Sequence, residues 1–274
     1  MSQPRRRGVT LAEVLTVVAV LAIVVGLCLP AVRRVREPAA RSKCQNNLRQ
    51  LILALHLYEE TRRPAADPPT NTPDAAGVRS FPPGCYGTGA TPQDQLSWMV
   101  PLLPYLESGA LLAQYDAAKG YAGNAAVARN RPYILSCPKV DDTTAGEAVT
   151  PYVALAGLGR DAAARPAGAP GNGFMGYART TTTAMIADGT ANTIALAETR
   201  TGLGPWARGG ASSVRGVEPD DVPLVGDDRP FGGHERGMNA AMADGSVRFI
   251  GPSVDPRVLA AEVTIAGGEP SALD

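Results

Sequence analysis

Apolar residues follow three different rhythms along this chain. In the twenty-one residues from Val9 to Leu29 they run almost unbroken, and the only formal charge is Glu13. At about 1.5 Å per residue, a helix of that length spans about 30 Å, the thickness of a bilayer's hydrocarbon core. Val17 to Leu29 leaves no polar face, which predicts a membrane-spanning helix rather than a buried soluble one. A cleaved secretory signal fits poorly, because Leu27-Cys28-Leu29-Pro30 offers no small-x-small site.

The second rhythm is helical and one-sided. Leu48, Leu51, Ile52, Leu55 and Tyr58 mark a face that packs on a globular body, with His56 at its edge. Residues 30–60 are therefore read as an extension of the first helix, bent at Pro30 and Pro38, where an intrahelical hydrogen bond is lost. Residues 61–95 come next as a loop, since Arg62 to Gly89 is rich in Pro, Gly, Asp and Thr. Leu96 to Glu107 begins the body, with a short helix opening at Pro101 or Pro104 and with Trp98 and Tyr105 in the core.

The third rhythm is short and strand-like. Tyr133 to Pro138 and Tyr152 to Gly157 are expected as strands, and Asp161 to Gly173 as a mobile low-complexity stretch. The turn at Asp188-Gly189 feeds a strand ending near Glu198. Residues 234–250, from His234 to Ile250, predict a hairpin whose turn is Asp244-Gly245. Asp255-Pro256 starts a short terminal helix. The fold class expected is α+β: a long N-terminal helix, membrane-spanning in its first half, packed on a loop-rich, mainly antiparallel β domain over 96–274.

Composition sharpens this picture in two ways. Zero formal net charge gives a nucleic-acid partner no electrostatic support. Thirty glycines and 24 prolines fit a β-rich body with many loops. The four cysteines, Cys28, Cys44, Cys85 and Cys137, show no metal-ligand spacing, and only His56 and His234 stand beside them, so no metal site is read. Cys28 is a small apolar residue of the membrane run. If the body is exported, Cys44 and Cys137 are the expected disulfide, because both adjoin apolar core-like segments while Cys85 lies in a Pro/Gly loop.

Arg5-Arg6-Arg7-Gly8 followed by Val9-Thr10-Leu11-Ala12-Glu13-Val14-Leu15 resembles the class III signal of type IV prepilins and type II secretion pseudopilins. The resemblance implies a membrane peptidase that cuts between Gly8 and Val9, releasing the leader 1–8, and methylates the new amine. Residues 9–29 then form the transmembrane helix, with Glu13 fifth in the mature chain. It also implies assembly with other pilin-like subunits, Glu13 pairing with a neighbour's amine. The family usually has phenylalanine where Val9 stands.

Further along, His234, nine residues and Asp244-Gly245 resemble the H-x9-DG module at the C-terminus of large pilin-like proteins that share a domain of unknown function. Cys44-Gln45-Asn46-Asn47-Leu48, Trp98 to Glu107, Ser136-Cys137-Pro138 and Asp188 to Glu198 resemble that domain's other landmarks, in order. Arginines flank the apolar run on both sides, and the prepilin resemblance decides the orientation. It implies a single-pass membrane protein with a cytoplasmic N-terminus and an extracytoplasmic body.

Enzymatic readings are weaker. His234 with Asp188 or Asp244 lacks a Gly-x-Ser-x-Gly nucleophile elbow, and Ser246 sits in a hairpin without an obvious oxyanion hole. A structural His234, bonded across the hairpin and fixing its register, is expected instead. Gly171-Asn172-Gly173-Phe174-Met175-Gly176 comes after no strand and is not a dinucleotide site. No cofactor is expected; the acidic loop Glu218 to Asp228 offers carboxylates for Ca2+ as in some pseudopilins, but without EF-hand spacing. The function expected is a structural pilin-like or pseudopilin-like subunit, the alternative being a permanently anchored extracytoplasmic ligand-binding module.

Overall fold

The computed structural model describes residues 11–61, 79–140 and 147–268, with the side chains of 24–35 excepted. Gly8, Val9, most of the Arg62–Gly89 loop and the side chains of Cys28 and Pro30 lie outside the described residues. The chain divides into a unit ending at Ala40 and a body starting at Arg41. One helix, α1 (Leu11–Thr61), runs through both and continues past Pro30 and Pro38. In the first unit, residues 11–23 are all exposed. Among the described residues, no helix is long and apolar enough to cross a membrane.

The body is built on a five-stranded sheet. Its short outlying pieces are β1 (Cys85–Tyr86) with β2 (Leu96–Ser97), and β3 (Val149–Thr150) with β6 (Gly204–Pro205). The main sheet takes β4 (Tyr152–Leu158), β5 (Ile194–Glu198), β7 (Val214–Val217), β8 (Met238–Met242) and β9 (Val247–Ile250) in the order β7-β4-β5-β8-β9. All pairs are antiparallel except β4 with β7. The fold is α+β and mainly antiparallel, as the apolar rhythms predict.

Both faces of the sheet are covered, which is why β4 reads as a continuous apolar run. Tyr152, Ala154 and Ala156 face one core with Leu48, Leu51, Ile52, Leu55 and Tyr58 of α1. Val153 and Leu155 face the other, with Leu259 and Val263 of the terminal helix α4 (Pro256–Val263). Asp255 caps α4 by accepting from the Arg257 N–H at 2.8 Å, as the Asp255-Pro256 signal predicts. Two further helices, α2 (Gly109–Leu112) and α3 (Gly120–Ala128), lie among the loops. Trp98 is fully buried, its indole N–H donating to the Ser213 carbonyl at 2.9 Å.

Two expectations are corrected. Tyr133–Leu135 is a 3-10 turn, not a strand. Ser136 donates to the Tyr133 carbonyl through its backbone N–H at 3.1 Å and its hydroxyl at 2.7 Å, closing a turn that a ladder would have to break. The stretch Asp161–Gly173, expected to be mobile, is tied down instead. Arg165 grips Asp161 at 2.6 Å, Asn172 donates to Pro166 at 2.8 Å, and the buried Arg179 donates to Ala162 at 2.7 Å.

Candidate functional site at the buried cysteine pair

At one end of the α1-facing core the apolar packing gives way to a buried polar layer. α1 contributes Cys44 and, about one turn later, Asn47. The loop after the 3-10 turn contributes Ser136 and Cys137. Tyr152 opens β4 and pairs in register with Glu198, which closes β5. Asn239 of β8 joins them, its backbone N–H donating to Glu198 Oε2 at 2.7 Å. His234 sits just before β8, where its backbone exchanges hydrogen bonds with Gly237 and Arg236 takes a φ of +66°.

These segments meet closely. The Sγ atoms of Cys44 and Cys137 are 2.8 Å apart, both as free thiols. Together with a ring nitrogen of His234 they fall within 4.8 Å of one another, all three residues buried. His234 Nε2 lies 3.5 Å from Glu198 Oε1, an ion-pair distance at the outer limit of a hydrogen bond. Asn47 Nδ2 locks the arrangement, donating to the Ser136 carbonyl at 2.9 Å and to the Tyr152 hydroxyl at 3.0 Å. Lys43 lies over the Tyr133 ring at 3.8 Å, so successive turns of α1 grip the loop that carries Cys137.

The electrostatics separate the two thiols. The Cys44 hydrogen bond and then His234 pull the Cys137 thiol down to about 6, against the opposing effect of burial. Cys44 moves the other way, raised by its bond to Cys137 and by burial. Burial works against a charge on His234, yet its hydrogen bonds to Cys137 and Glu198 outweigh that and push it up to about 10. Both shifts run in the direction that favours a Cys137 thiolate against a His234 imidazolium in the reduced site, and the shift on Cys44 favours its neutral thiol. Cys85, by contrast, is pushed up to about 12 by burial and stands apart, its Sγ 3.7 Å from the Pro92 carbonyl.

The donor set, two thiols, an imidazole and a nearby carboxylate, is one that zinc favours, and no local sequence spacing announces it. The distances argue against an ion between the sulfurs. Two thiolates held at about 2.3 Å by a tetrahedral zinc stand about 3.8 Å apart; here the separation is 2.8 Å.

The other predicted residues occupy different places. Asp188 accepts from the backbone N–H groups of Gly267 at 2.6 Å and Gly268 at 3.0 Å, tying down the chain after α4. Gly189, next to it, has a φ of +92°. Asp244 accepts from Ser246 N–H at 2.8 Å, and Gly245 takes a φ of +94° at the hairpin tip. The carboxylate beside His234 is thus Glu198, not Asp188 or Asp244. The side chain of His234 reaches the neighbouring strand β5 and the Cys137 loop, where bonding across its own hairpin is the sequence expectation. In the acidic loop Glu218 pairs with Arg160 at 3.7 Å and Asp227 with Arg200 at 3.4 Å. Glu13 lies in the first turn of α1, on the exposed stretch.

Sequence reasoning missed Glu198, Asn47 and Tyr152 as members of the site. A signal for Glu198 exists: it is the lone carboxylate closing the apolar run Ile194-Ala195-Leu196-Ala197, two residues after the buried Leu196.

Comparison with known proteins gives two family matches. The prokaryotic N-terminal methylation motif matches residues 3–29, the segment holding Gly8, Val9 and Glu13. The family described as protein of unknown function DUF1559 matches residues 33–225, which include Cys44, Cys137, Tyr152 and Glu198 and end before His234. Neither the curated proteins nor the solved structures give a match. Because the second match covers more than half of the 274 residues, this chain belongs to the DUF1559 family, with a prepilin-type methylation segment at its N-terminus.

Proposed function

We propose that this protein is a structural, pilin-like subunit, cut by a prepilin peptidase after Gly8, methylated at Val9 and anchored through its N-terminal helix with the body on the extracytoplasmic side. The methylation motif over residues 3–29 carries the reading. The exposed start of α1 supports it, since its apolar residues Leu11, Leu15, Leu21 and Ile23 are 57–78% exposed. That much apolar surface facing water is unfavourable by about 25 cal/mol per Å2, so a lipid phase or like helices must cover it. Glu13 is the carboxylate that a neighbouring subunit's amine neutralises as the helices pack. N-terminal sequencing and intact mass of membrane-extracted protein test this. Loss of residues 1–8 and a methylated Val9 are expected, and an uncut chain overturns it.

A second reading, the anchored ligand-binding module, has one observation in its favour. A cavity of about 370 Å3 opens beside β7, lined in part by Arg160, Tyr177, Arg215 and Glu218. The guanidinium of Arg215 is spent on the fold: it donates to the carbonyls of Thr201 at 3.1 Å and Gly202 at 3.1 Å and to the Thr199 hydroxyl at 3.0 Å. With those donors engaged, the cavity favours the binding module only if an anion displaces their contacts. Calorimetry with inorganic phosphate decides between the two readings.

A further inference from the structure

We propose that Cys44 and Cys137 form an oxidative cross-link site, in which Cys137 is the attacking thiol, Cys44 the resolving thiol, and His234, held by Glu198, the group that keeps and passes the proton. The product is a disulfide tying α1 to the loop after Tyr133–Leu135. The inference rests on the extracytoplasmic placement of the body for its source of oxidant, a protein or small-molecule disulfide.

The geometry assigns the roles. The two sulfurs already stand 2.8 Å apart, against about 2.05 Å in a disulfide and about 3.8 Å on a shared zinc. Cys137 is 3% exposed and sits on a loop, while Cys44 is 0% exposed on the inner side of α1, so an oxidant arriving from solvent meets Cys137 first. Among the described residues, the titratable groups facing the pair are Tyr152 from β4, Glu198 from β5 and His234 before β8. Of these only the His234 imidazolium favours a thiolate at Cys137; Glu198 opposes it. Glu198 acts on the imidazole instead, holding the ring and its charge.

Two successive thiol–disulfide exchanges balance the electrons and protons. The Cys137 thiolate attacks one sulfur of the oxidant disulfide, breaking its S–S bond, and the first released thiolate takes the proton from His234. Neutral His234 then accepts the Cys44 proton. The Cys44 thiolate attacks Cys137 Sγ, expelling the second oxidant thiolate, which takes that proton from His234. Two protein thiols are oxidised, one disulfide is reduced to two thiols, and His234 ends neutral beside Glu198.

Two measurements on the full chain test it. The first is non-reducing peptide mapping of membrane-extracted protein, alkylated at lysis. The second is re-oxidation of the purified, reduced, folded protein by glutathione disulfide across a pH series. A Cys44–Cys137 cross-linked peptide, lighter by two hydrogens, is expected in both, and reduction should lower the melting midpoint by on the order of 10 °C. The re-oxidation rate should level off above about pH 6, the value to which Cys137 is drawn. His234→Gln should move that midpoint upward by a unit or more. A merely structural His234 lowers stability in the variant and leaves the pH profile in place, which overturns its assigned role. Failure of the reduced wild type to form the bond in vitro, or tight 1:1 uptake of Zn2+ by the thiols of the isolated protein, overturns the site itself. Cross-linking in vitro from a protein isolated fully reduced supports the site and strikes down the extracytoplasmic placement.

Discussion

Two stretches of α1 are both rich in aliphatic side chains and meet opposite fates. Between Leu11 and Ile23 every residue is exposed, Leu11 at 78% and Ile23 at 63%. Between Leu48 and Leu55 the residues facing the body, Leu48, Leu51, Ile52 and Leu55, are buried to within 1%. Hydrophobicity alone does not separate them. What differs is pattern: the later stretch sets its buried face against the polar Arg49 and Gln50, whereas from Val17 onward the earlier one is apolar all round. A one-sided helix finds its cover within its own chain. An all-round apolar one needs a medium or a neighbour, and the pilin-like subunit proposed above would have both; the match shown is the prepilin-type methylation motif over residues 3–29.

The sharpest way to break this contrast acts on the exposed stretch. Gly8→Leu places a branched side chain at the scissile bond, and the precursor should remain entirely uncut by intact mass, while the body folds as before. Processing of the variant at the same bond would remove the prepilin reading. Glu13→Val comes next. It should insert and be cut after Gly8, yet lose most cross-linking to wild-type subunits in the membrane, because the neighbour's amine is left without its carboxylate in a low dielectric. Undiminished cross-linking would favour the solitary anchored module.

Truncations on the two stretches sharpen the contrast in energetic terms. Leu51→Ala should cost the body about 2–5 kcal/mol, since a fully buried leucine leaves a cavity as well as losing its transfer energy. Leu15→Ala, at a position 60% exposed, should change the body's stability by less than about 0.5 kcal/mol in chemical denaturation. Equal costs at the two positions would mean that the exposure of Leu15 does not set it apart from Leu51 in the folded protein.

Much of this architecture is legible in the sequence because it is set by local periodicity. The face Leu48–Tyr58, the Asp244-Gly245 turn and the Asp255-Pro256 helix start each announce themselves within one or two turns of chain. The buried site is not legible in that way. Its residues come from α1, the Cys137 loop, β4, β5 and the entry to β8, and no spacing rule links segments so far apart. Glu198 depends on a further detail. A register irregularity between Ile194 and Leu196 in the pairing of β5 with β8 alters strict alternation, so which face Glu198 takes is decided by tertiary pairing. The strand expected at Tyr133–Pro138 failed for a related reason: β-branched and aromatic content suggested a ladder, and Ser136 closed a local turn first.

His234→Ala tests how much the buried stretch depends on its polar layer. It should lower stability by about 1–3 kcal/mol, because the Glu198 carboxylate and Cys137 lose a buried partner. An unchanged melting curve would show that these groups are satisfied without it.

The smallest effect is the pH dependence of the reduced protein, and its sign comes from two opposed shifts. His234 is raised from 6.5 to about 10, so its contribution is complete below pH 6.5 and is lost as pH rises toward 10. Cys137 is lowered from 9.0 to about 6, so its contribution is complete above pH 9 and is lost as pH falls toward 6. Between about 6.5 and 9 the two slopes cancel, because folding only moves one proton from sulfur to imidazole and takes up none. Chemical denaturation of reduced protein should therefore give a plateau there, with stability falling on either side of it. Cys137→Ser removes one slope and leaves the other, since Glu198 still holds the imidazolium. Its stability should decline steadily as pH rises above about 6.5. A plateau surviving in Cys137→Ser would mean that the proton of the reduced site does not sit on His234.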